Sequence, residues 1–136
     1  MIPKFRAWDK ARNEMNYKVM VGNCDTDDEN WTCPIIWIEE RQDWLHFDDY
    51  DSIMQSTGLF DKNGKEIFEG DILELKDCGE TIGNVKVCWD NLLGLFQLDA
   101  IIVDEKEPMY KVVDDEDCSY IVVGNIYENP ELLEEK

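Results

Sequence analysis

The amino-acid sequence predicts a mainly β protein, with a small SH3-like barrel or meander at about residues 57–128, additional strands before it and little helix. The first observation behind this prediction is that short stretches of alternating apolar and polar residues recur along the chain, separated by turns rich in Gly, Asn and Asp. The second is that hardly any stretch has the apolar period of about 3.6 residues that marks an amphipathic helix. Strands joined by short turns are typical of an all-β barrel or sandwich.

The N-terminal part of the chain is predicted to consist of short strands. Residues 5–8 and 15–21 alternate in polarity on either side of a polar turn, which predicts a hairpin with a longer loop. The apolar run 35–38 is short and β-branched, which favours a strand, and Pro34 suits the first position or an edge of it. The predicted strands are residues 5–8, 15–21, 35–38, 44–47 and 52–56.

The stretch 55–75 is predicted to organise the C-terminal part as a three-stranded meander. Asn63-Gly64 lies between two short strand-like segments, and Asn-Gly favours a type I′ turn, in which both central residues have positive φ. Residues 69–71 predict a second reversal of the chain, which leads into a third strand at 72–75.

The elements after Leu75 follow the same alternation of strands and turns. Strands are predicted at 85–89, 95–99, 101–103, 110–113 and 120–123, with loops at 77–83, 90–94, 104–108 and 114–117. Gly124 predicts a bend or bulge at the end of the last strand. Asn129-Pro130 predicts the cap and first residue of a single helical turn that ends at Leu133.

Length and composition predict a cytoplasmic protein without a membrane span. The 136 residues fit a single unit, 1–136, or a division into 1–56 and 57–136. No run of about 18 apolar residues occurs, and the first residues lack the apolar core of a secretory signal. The five cysteines are odd in number and form no C-x-x-C pair, so we expect buried, reduced thiols in a cytoplasm.

The net charge of −19 is the most extreme property of the sequence. Such a surface repels a phosphate backbone, so direct binding of nucleic acid is not expected, whereas a basic protein partner or an imitation of nucleic acid is compatible with it. Solvated loops are the simplest interpretation of the acidic clusters. The candidate acidic interaction surface consists of Asp25, Asp27, Asp28, Glu29, Asp48, Asp49, Asp51, Asp114, Asp115, Glu116 and Asp117.

Motifs for catalysis, cofactor binding or metal binding are not found in the sequence. It contains no Walker loop, G-x-G-x-x-G or G-x-S-x-G, and the one histidine, His46, has no nucleophile at a recognisable spacing. The turn that begins at Asp61 would need Gly and Glu where Glu66 and Ile72 stand to be an EF-hand loop. We therefore predict no catalytic, cofactor or metal residue, and keep a metal-dependent hydrolase built from carboxylates as an alternative.

Three separated stretches resemble the YopX family of phage and prophage proteins. They are FRAWDK at 5–10, MQSTGLFDKNGKEIFEGDI at 54–72 and GNIYENPELL at 124–133. The resemblance implies a protein of phages and prophages, largely of Gram-positive bacteria, with no established activity and no catalytic residue to carry over. The matched residues are interpreted as scaffold. They are Trp8, Gly58, Asn63, Gly64, Gly70, Asp71, Gly124 and Asn125, together with the apolar Leu59, Ile67, Ile72 and Ile126.

The resulting hypothesis is a non-enzymatic accessory protein that binds another macromolecule. The identity of this partner is unknown, and the net charge favours a basic protein. An acidic mimic of nucleic acid that blocks a DNA-binding host protein is an alternative, and it requires the acidic loops to share one face. Association of copies of the chain through an exposed strand edge is a further alternative.

Overall fold

The computed structural model of the protein describes residues 4–9, 12–24, 33–38, 43–46, 52–100 and 105–133. Within these residues the chain forms mainly antiparallel strands, one short α-helix and a 3-10 helix, which confirms the predicted mainly β class. The strands are β1 (Phe5–Asp9), β2 (Glu14–Asn16), β3 (Val19–Cys24), β4 (Cys33–Ile38), β5 (Asp43–His46), β6 (Ser52–Phe60), β7 (Glu66–Phe68), β8 (Asp71–Asp77), β9 (Glu80–Asp90), β10 (Leu95–Ala100), β11 (Glu105–Pro108) and β12 (Cys118–Asn125). The α-helix is α1 (Met109–Val113), and the 3-10 helix is Pro130–Leu133.

The chain divides into two compact units, Met1–Gln55 and Ser56–Lys136. In the first unit β1 pairs with β2, which confirms the N-terminal hairpin, and with the first residues of β6. The predicted strand 15–21 is in fact two strands, β2 and β3, and β3 pairs with β4, which in turn pairs with β5. Ala7 and Val19 are buried together in this unit.

Pro34 lies near the start of β4, as its second residue. β4 is the central strand of its three-stranded sheet, and Pro34 pairs with Asn23 of β3. The pairing of β4 with β5 is described from Ile35 to Ile38. The proline is therefore close to the predicted first position of the strand, where a missing N–H is tolerated, and the alternative of an edge strand is wrong.

The second unit is built on a five-stranded sheet in the order β11-β10-β9-β8-β12. The consecutive strands β8 to β11 form a meander, as predicted for the C-terminal part, while the SH3-like form of the barrel stays a prediction. Alternate residues of β8, β9 and β10 point into one core, which α1 covers with Met109 and Val112. The buried members of this core are Ile67, Leu73, Leu75, Val85, Val87, Leu98, Met109 and Val112.

The prediction that stretch 55–75 is itself a meander is wrong. β7 pairs with β6, but β8 pairs with β9 and β12. Gly70 has a φ of 83° and turns the chain out of the first hairpin. Its N–H then donates to the carbonyl of Val87, and its own carbonyl accepts from Ile126. These two bonds attach the turn to the five-stranded sheet instead.

The type I′ turn is found one hairpin later than predicted. Gly64 has a φ of 83°, but among the described residues only Asn13 and Cys78 combine a side chain with positive φ, so Asn63 does not fit type I′. Cys78 and Gly79 have φ values of 52° and 84°, and Asp77 pairs with Glu80 directly across them. This two-residue turn has the positive φ at both central positions that type I′ requires, and it shortens the predicted loop 77–83.

Two predictions between Asp104 and Val113 are wrong. The predicted loop 104–108 contains β11, and the predicted strand 110–113 is the helix α1. Met109 and Val112 are both buried, as residues three apart on a helix can be, whereas the β-branched pair Val112-Val113 favoured a strand by propensity alone. The predicted strand 101–103 lies outside the described residues.

The end of the chain follows the prediction closely. β12 has a register shift between Val122 and Gly124, which is the predicted bulge. The 3-10 helix begins at Pro130, and the N–H of Leu132 donates to the carbonyl of Asn129.

Candidate interaction surface

Asp61 holds the β6–β7 turn together and joins it to β12. One carboxylate oxygen accepts from the N–H groups of Asn63 and Lys65 at 2.9 and 2.8 Å, and the other accepts from Val122 at 2.8 Å. Burial by itself raises the pKa of Asp61, but these three backbone bonds and the charge of Lys65 outweigh burial, so the pKa is lowered. Sequence reasoning examined Asp61 only as a calcium ligand and missed this structural role.

The glycines and polar residues of the quoted stretches lie at special backbone positions. Gly58 has a φ of 79° at an irregularity in β6, and Gly64 has a φ of 83° in the turn that Asp61 closes. Asn63 is exposed in that turn and contributes its backbone N–H to Asp61. Asp71 is 1% exposed, and its carboxylate accepts from the N–H of Phe68 at 2.8 Å. Each of these contacts fixes the local backbone.

The last stretch forms a second fixed turn. The side-chain oxygen of Asn125 accepts from the N–H groups of Tyr127 and Glu128 at 3.0 and 2.8 Å. A Cβ at Gly124 would lie 2.5 Å from Oδ1 of Asn129, so this position has room only for glycine unless Asn129 moves. In the first unit Trp8 is 5% exposed in β1.

Only one of the three predicted acidic clusters lies within the described residues. Asp114, Asp115, Glu116 and Asp117 are all exposed between α1 and β12. Asp115 accepts from the N–H of Asp117 at 2.9 Å, and the carbonyl of Asp117 accepts from the N–H of Cys78 at 2.9 Å. The other members, Asp25, Asp27, Asp28, Glu29, Asp48, Asp49 and Asp51, lie outside the described residues.

Reactive or metal-binding groups do not converge in the part of the chain that the structure describes. No three His, Cys, Asp or Glu side chains there could hold a metal ion. Free cysteines include the exposed Cys78 and the half-buried Cys88 and Cys118, so the expectation that the thiols are buried is wrong for Cys78. Burial and the carboxylate of Asp115 raise the pKa of Cys118 to about 11, so this thiol stays protonated and is a poor nucleophile near neutral pH.

The β9–β10 turn presents an apolar tip on a rigid frame. Asp90 accepts from the N–H groups of Leu92 and Leu93 at 2.8 and 3.1 Å, and its other carboxylate oxygen accepts from the side chain of Gln97 at 2.7 Å. The N–H of Gly94 donates to the carbonyl of Asp90 at 2.8 Å. Every one of these bonds ends on Asp90, which therefore determines the shape of the turn.

The side chains at this tip are apolar and exposed. Leu92 is 96% exposed, Leu93 63% and Trp89 41%. Behind them the ring of Trp89 meets the ring of Phe96 edge to face, with centroids 4.9 Å apart. We call Trp89, Leu92 and Leu93 the hairpin tip. Sequence analysis identified the turn but assigned no role to it, although two leucines in a turn are an unusual choice where polar residues are the rule.

A groove lies on the core side of the same sheet, at the other end of β9. It has a volume of about 640 Å³ and lies between the sheet and α1. Leu75, Val85 and Leu98 form its floor, Val112 of α1 forms a wall, and Ile82, which is 62% exposed, stands at its edge. Charged side chains of both signs surround it, namely Asp77, Lys106, Glu107, Lys111 and Asp115.

The fold and its surface define a small all-β protein with a rigid apolar hairpin tip. Comparison with known proteins identifies its relatives. The family model described as YopX protein matches residues 4–134. The chain therefore belongs to the YopX protein family, which confirms the resemblance.

Two solved structures are similar to this chain over nearly its whole length. The crystal structure of protein EF1440 from Enterococcus faecalis is 33% identical, covers 98% of this chain and 99% of its own, and has a TM-score of 0.64. The crystal structure of protein yopX from Bacillus subtilis is 20% identical, covers 96% of this chain and 98% of its own, and has a TM-score of 0.57. The second likeness concerns the fold alone. A comparison with curated proteins found no match.

None of the helices in the described part of the chain has the length and apolar character needed to cross a bilayer.

Proposed function

We propose that this protein is a non-catalytic accessory protein of phage or prophage that acts in the host cytoplasm by binding a basic protein through the hairpin tip. The observation that carries the proposal is the exposure of Leu92 at 96% and Leu93 at 63% on a turn whose shape Asp90 fixes. A cluster of exposed apolar side chains at one place favours a protein contact over a solvated loop.

The composition around the tip supports this function. Charged residues make up 33% of the chain, yet residues 89–98 contain a single charged residue, Asp90. The carboxylate of Asp90 is occupied by the N–H groups of the turn and by Gln97. Depletion of charge together with aromatic and apolar side chains is typical of the centre of a protein interface.

The rigidity of the tip lowers the entropic cost of binding. Loops that become ordered on binding lose conformational freedom, which weakens the complex. Here four hydrogen bonds to Asp90 and the contact of Trp89 with Phe96 hold the turn before a partner arrives. Leu92 and Leu93 are thus presented in one arrangement that a partner's apolar cavity can match.

The net charge of −19 determines the kind of partner. An acidic protein accelerates the approach of a basic one, while the apolar contact provides most of the lasting affinity. We therefore expect a partner with an apolar cavity that is surrounded by Lys and Arg, and a rate of association that falls as salt rises.

The experiment begins with affinity capture from a lysate of a Gram-positive bacterium, using wild-type protein, a Leu92→Ser/Leu93→Ser variant and a Tyr110→Ser control. Tyr110 is 56% exposed on α1 and lines none of the surfaces described above, so it controls for loss of an exposed apolar side chain. A partner retained by wild type and control but lost by the tip variant is then purified, and its affinity is measured by calorimetry.

For such a partner the tip variant should bind about thirtyfold more weakly or worse, which corresponds to about 2 kcal/mol for a central contact residue. Equal affinity of the tip and control variants would show that the tip is not the contact. Turnover of a substrate by the purified protein, with no specific partner, would contradict the non-catalytic assignment.

A further inference from the structure

The groove between the sheet and α1 is a second candidate surface, and the hairpin-tip function does not use it. Its residues come from the strands β8 to β12, from α1 and from the turn that follows α1, so they belong to one unit of the fold. It lies near the start of β9 and the end of β10, whereas the hairpin tip joins the end of β9 to the start of β10. A ligand in the groove therefore does not occupy the tip of the same hairpin.

The interior of the groove is apolar. Leu75, Val85 and Leu98 are at most 8% exposed and form a floor that belongs to the packed core. Ile82 stands at the edge with 62% of its surface exposed, although it lies within β9. The volume of about 640 Å³ is within the range of natural ligand sites, which is roughly 300–1,000 Å³. A large apolar side chain would cover the floor and Ile82 together.

The charges at the edge of the groove are predominantly acidic. The lining carboxylates are Asp77, Glu107 and Asp115, against the two lysines Lys106 and Lys111. The exposed Asp114, Glu116 and Asp117 adjoin Asp115 in the same turn and add three more negative charges. An anionic ligand would meet this excess of like charge, whereas a cationic group beside the apolar one would be attracted.

We propose that the groove binds a segment of a protein ligand in which a large apolar side chain lies next to lysine or arginine. The apolar side chain occupies the floor formed by Leu75, Val85 and Leu98, and the cationic neighbours lie against Asp77 and Asp115. A free anion or a nucleic acid has the wrong charge for this site, and a purely apolar molecule would gain no attraction from the carboxylates.

The test is an NMR titration of the full ¹⁵N-labelled chain with three capped tripeptides, Lys-Trp-Lys, Glu-Trp-Glu and Lys-Ser-Lys. Lys-Trp-Lys should produce saturable shifts of the amides of Ile82, Val85 and Val112. The Glu-Trp-Glu peptide should bind at least tenfold more weakly, and Lys-Ser-Lys should not produce this localised pattern. Equal binding of the first two peptides, or the same shifts with Lys-Ser-Lys, would overturn the proposal.

Matched variants separate the two halves of the site. The double variant Asp77→Asn/Asp115→Asn should bind Lys-Trp-Lys at least threefold more weakly, and the salt dependence of binding should be smaller. Glu80→Gln is the control, because it removes one exposed charge outside the lining of the groove. Ile82→Ser should lower the affinity for Lys-Trp-Lys, and Leu92→Ser should leave this affinity unchanged. Loss of binding in Leu92→Ser but not in Ile82→Ser would refute the groove and leave the hairpin tip as the binding surface.

Discussion

At the scale of single residues, Asp61 is a small side chain that joins two distant parts of the sequence. Its carboxylate accepts N–H groups from Asn63 and Lys65 in its own turn and from Val122 in β12. Asp61→Asn keeps an oxygen for the turn but replaces the second acceptor with a donor that faces the N–H of Val122. We expect a loss of about 1–3 kcal/mol in the free energy of unfolding, measured by urea denaturation. Asp114→Asn, in the exposed acidic turn, should change it little.

The lowered pKa of Asp61 predicts how the stability of the fold changes at acidic pH. The pKa of Asp61 is lower in the folded protein than the ordinary value of 3.8, so its charged form stabilises the fold above that value. This contribution is lost as the pH falls through the lowered pKa. Below pH 3.8 the stability of the wild type should therefore fall more steeply than that of Asp61→Asn. Parallel curves for the two proteins would show that Asp61 is not coupled to folding in this way.

Gly124 and Asn129 form a pair whose coupling can be measured. A Cβ at position 124 would lie 2.5 Å from Oδ1 of Asn129, so Gly124→Ala must displace that side chain. We expect a cost of about 1–3 kcal/mol for this overpacking. The Cβ of Asn129 would also lie 2.8 Å away, so the matched background is Asn129→Gly, in which the whole side chain is gone and the cost should fall by at least half. An additive double-mutant cycle would contradict direct contact between the two positions.

At the scale of elements, the two hairpin turns of the second unit predict opposite responses to substitution. Cys78 has a φ of 52° in the type I′ turn, where asparagine is preferred, so Cys78→Asn should raise the urea midpoint by roughly 0.2–0.5 M. Gly64 has a φ of 83°, so Gly64→Val should cost about 1–3 kcal/mol although no atom lies within 4 Å of its missing Cβ. A lower urea midpoint for Cys78→Asn than for the wild type would contradict the assignment of a type I′ turn here.

Local sequence was enough to predict the strands, and distant contacts explain the errors. Alternation predicted β9 and β10, and the β-branched run at 120–123 predicted β12. It could not show that Gly70 bonds to Val87, which moves β8 from the first hairpin into another sheet. Nor could it show that the core needs a cover at Met109 and Val112, where burial three residues apart selects a helix against the preference of valine.

The candidate site was harder to predict than the fold. Sequence reasoning looked for function in charge, because the acidic clusters were the most obvious feature. The apolar tip was visible only as a turn, since exposure of Leu92 and Leu93 depends on where the sheet ends. The groove was not predictable at all, because Leu75, Ile82 and Val112 come together only after the sheet and α1 have formed.

At the scale of the whole molecule, the net charge of −19 destabilises the folded state by self-repulsion. Raising sodium chloride from 20 to about 300 mM should therefore raise the Tm by roughly 3 °C or more, since the Debye length shortens below the distance between many surface charges. Replacing Asp114, Asp115, Glu116 and Asp117 by their amides should raise the Tm at low salt and reduce this salt dependence. An unchanged Tm across the salt range would mean that the surface charges are too far apart for their repulsion to destabilise the fold.

The bond between Asp61 and Val122 also has a consequence for the protein during its synthesis. The two residues are separated by 61 positions. At about 5–20 residues per second, a ribosome needs about 3–12 seconds to add the second after the first. During that interval the edge of β8 that β12 later pairs with is still open in the nascent chain. The carboxylate of Asp61 also lacks one of its three N–H donors. Completion of this unit therefore waits for β12 to emerge, and a chain stalled before Val122 would be a natural substrate for chaperones.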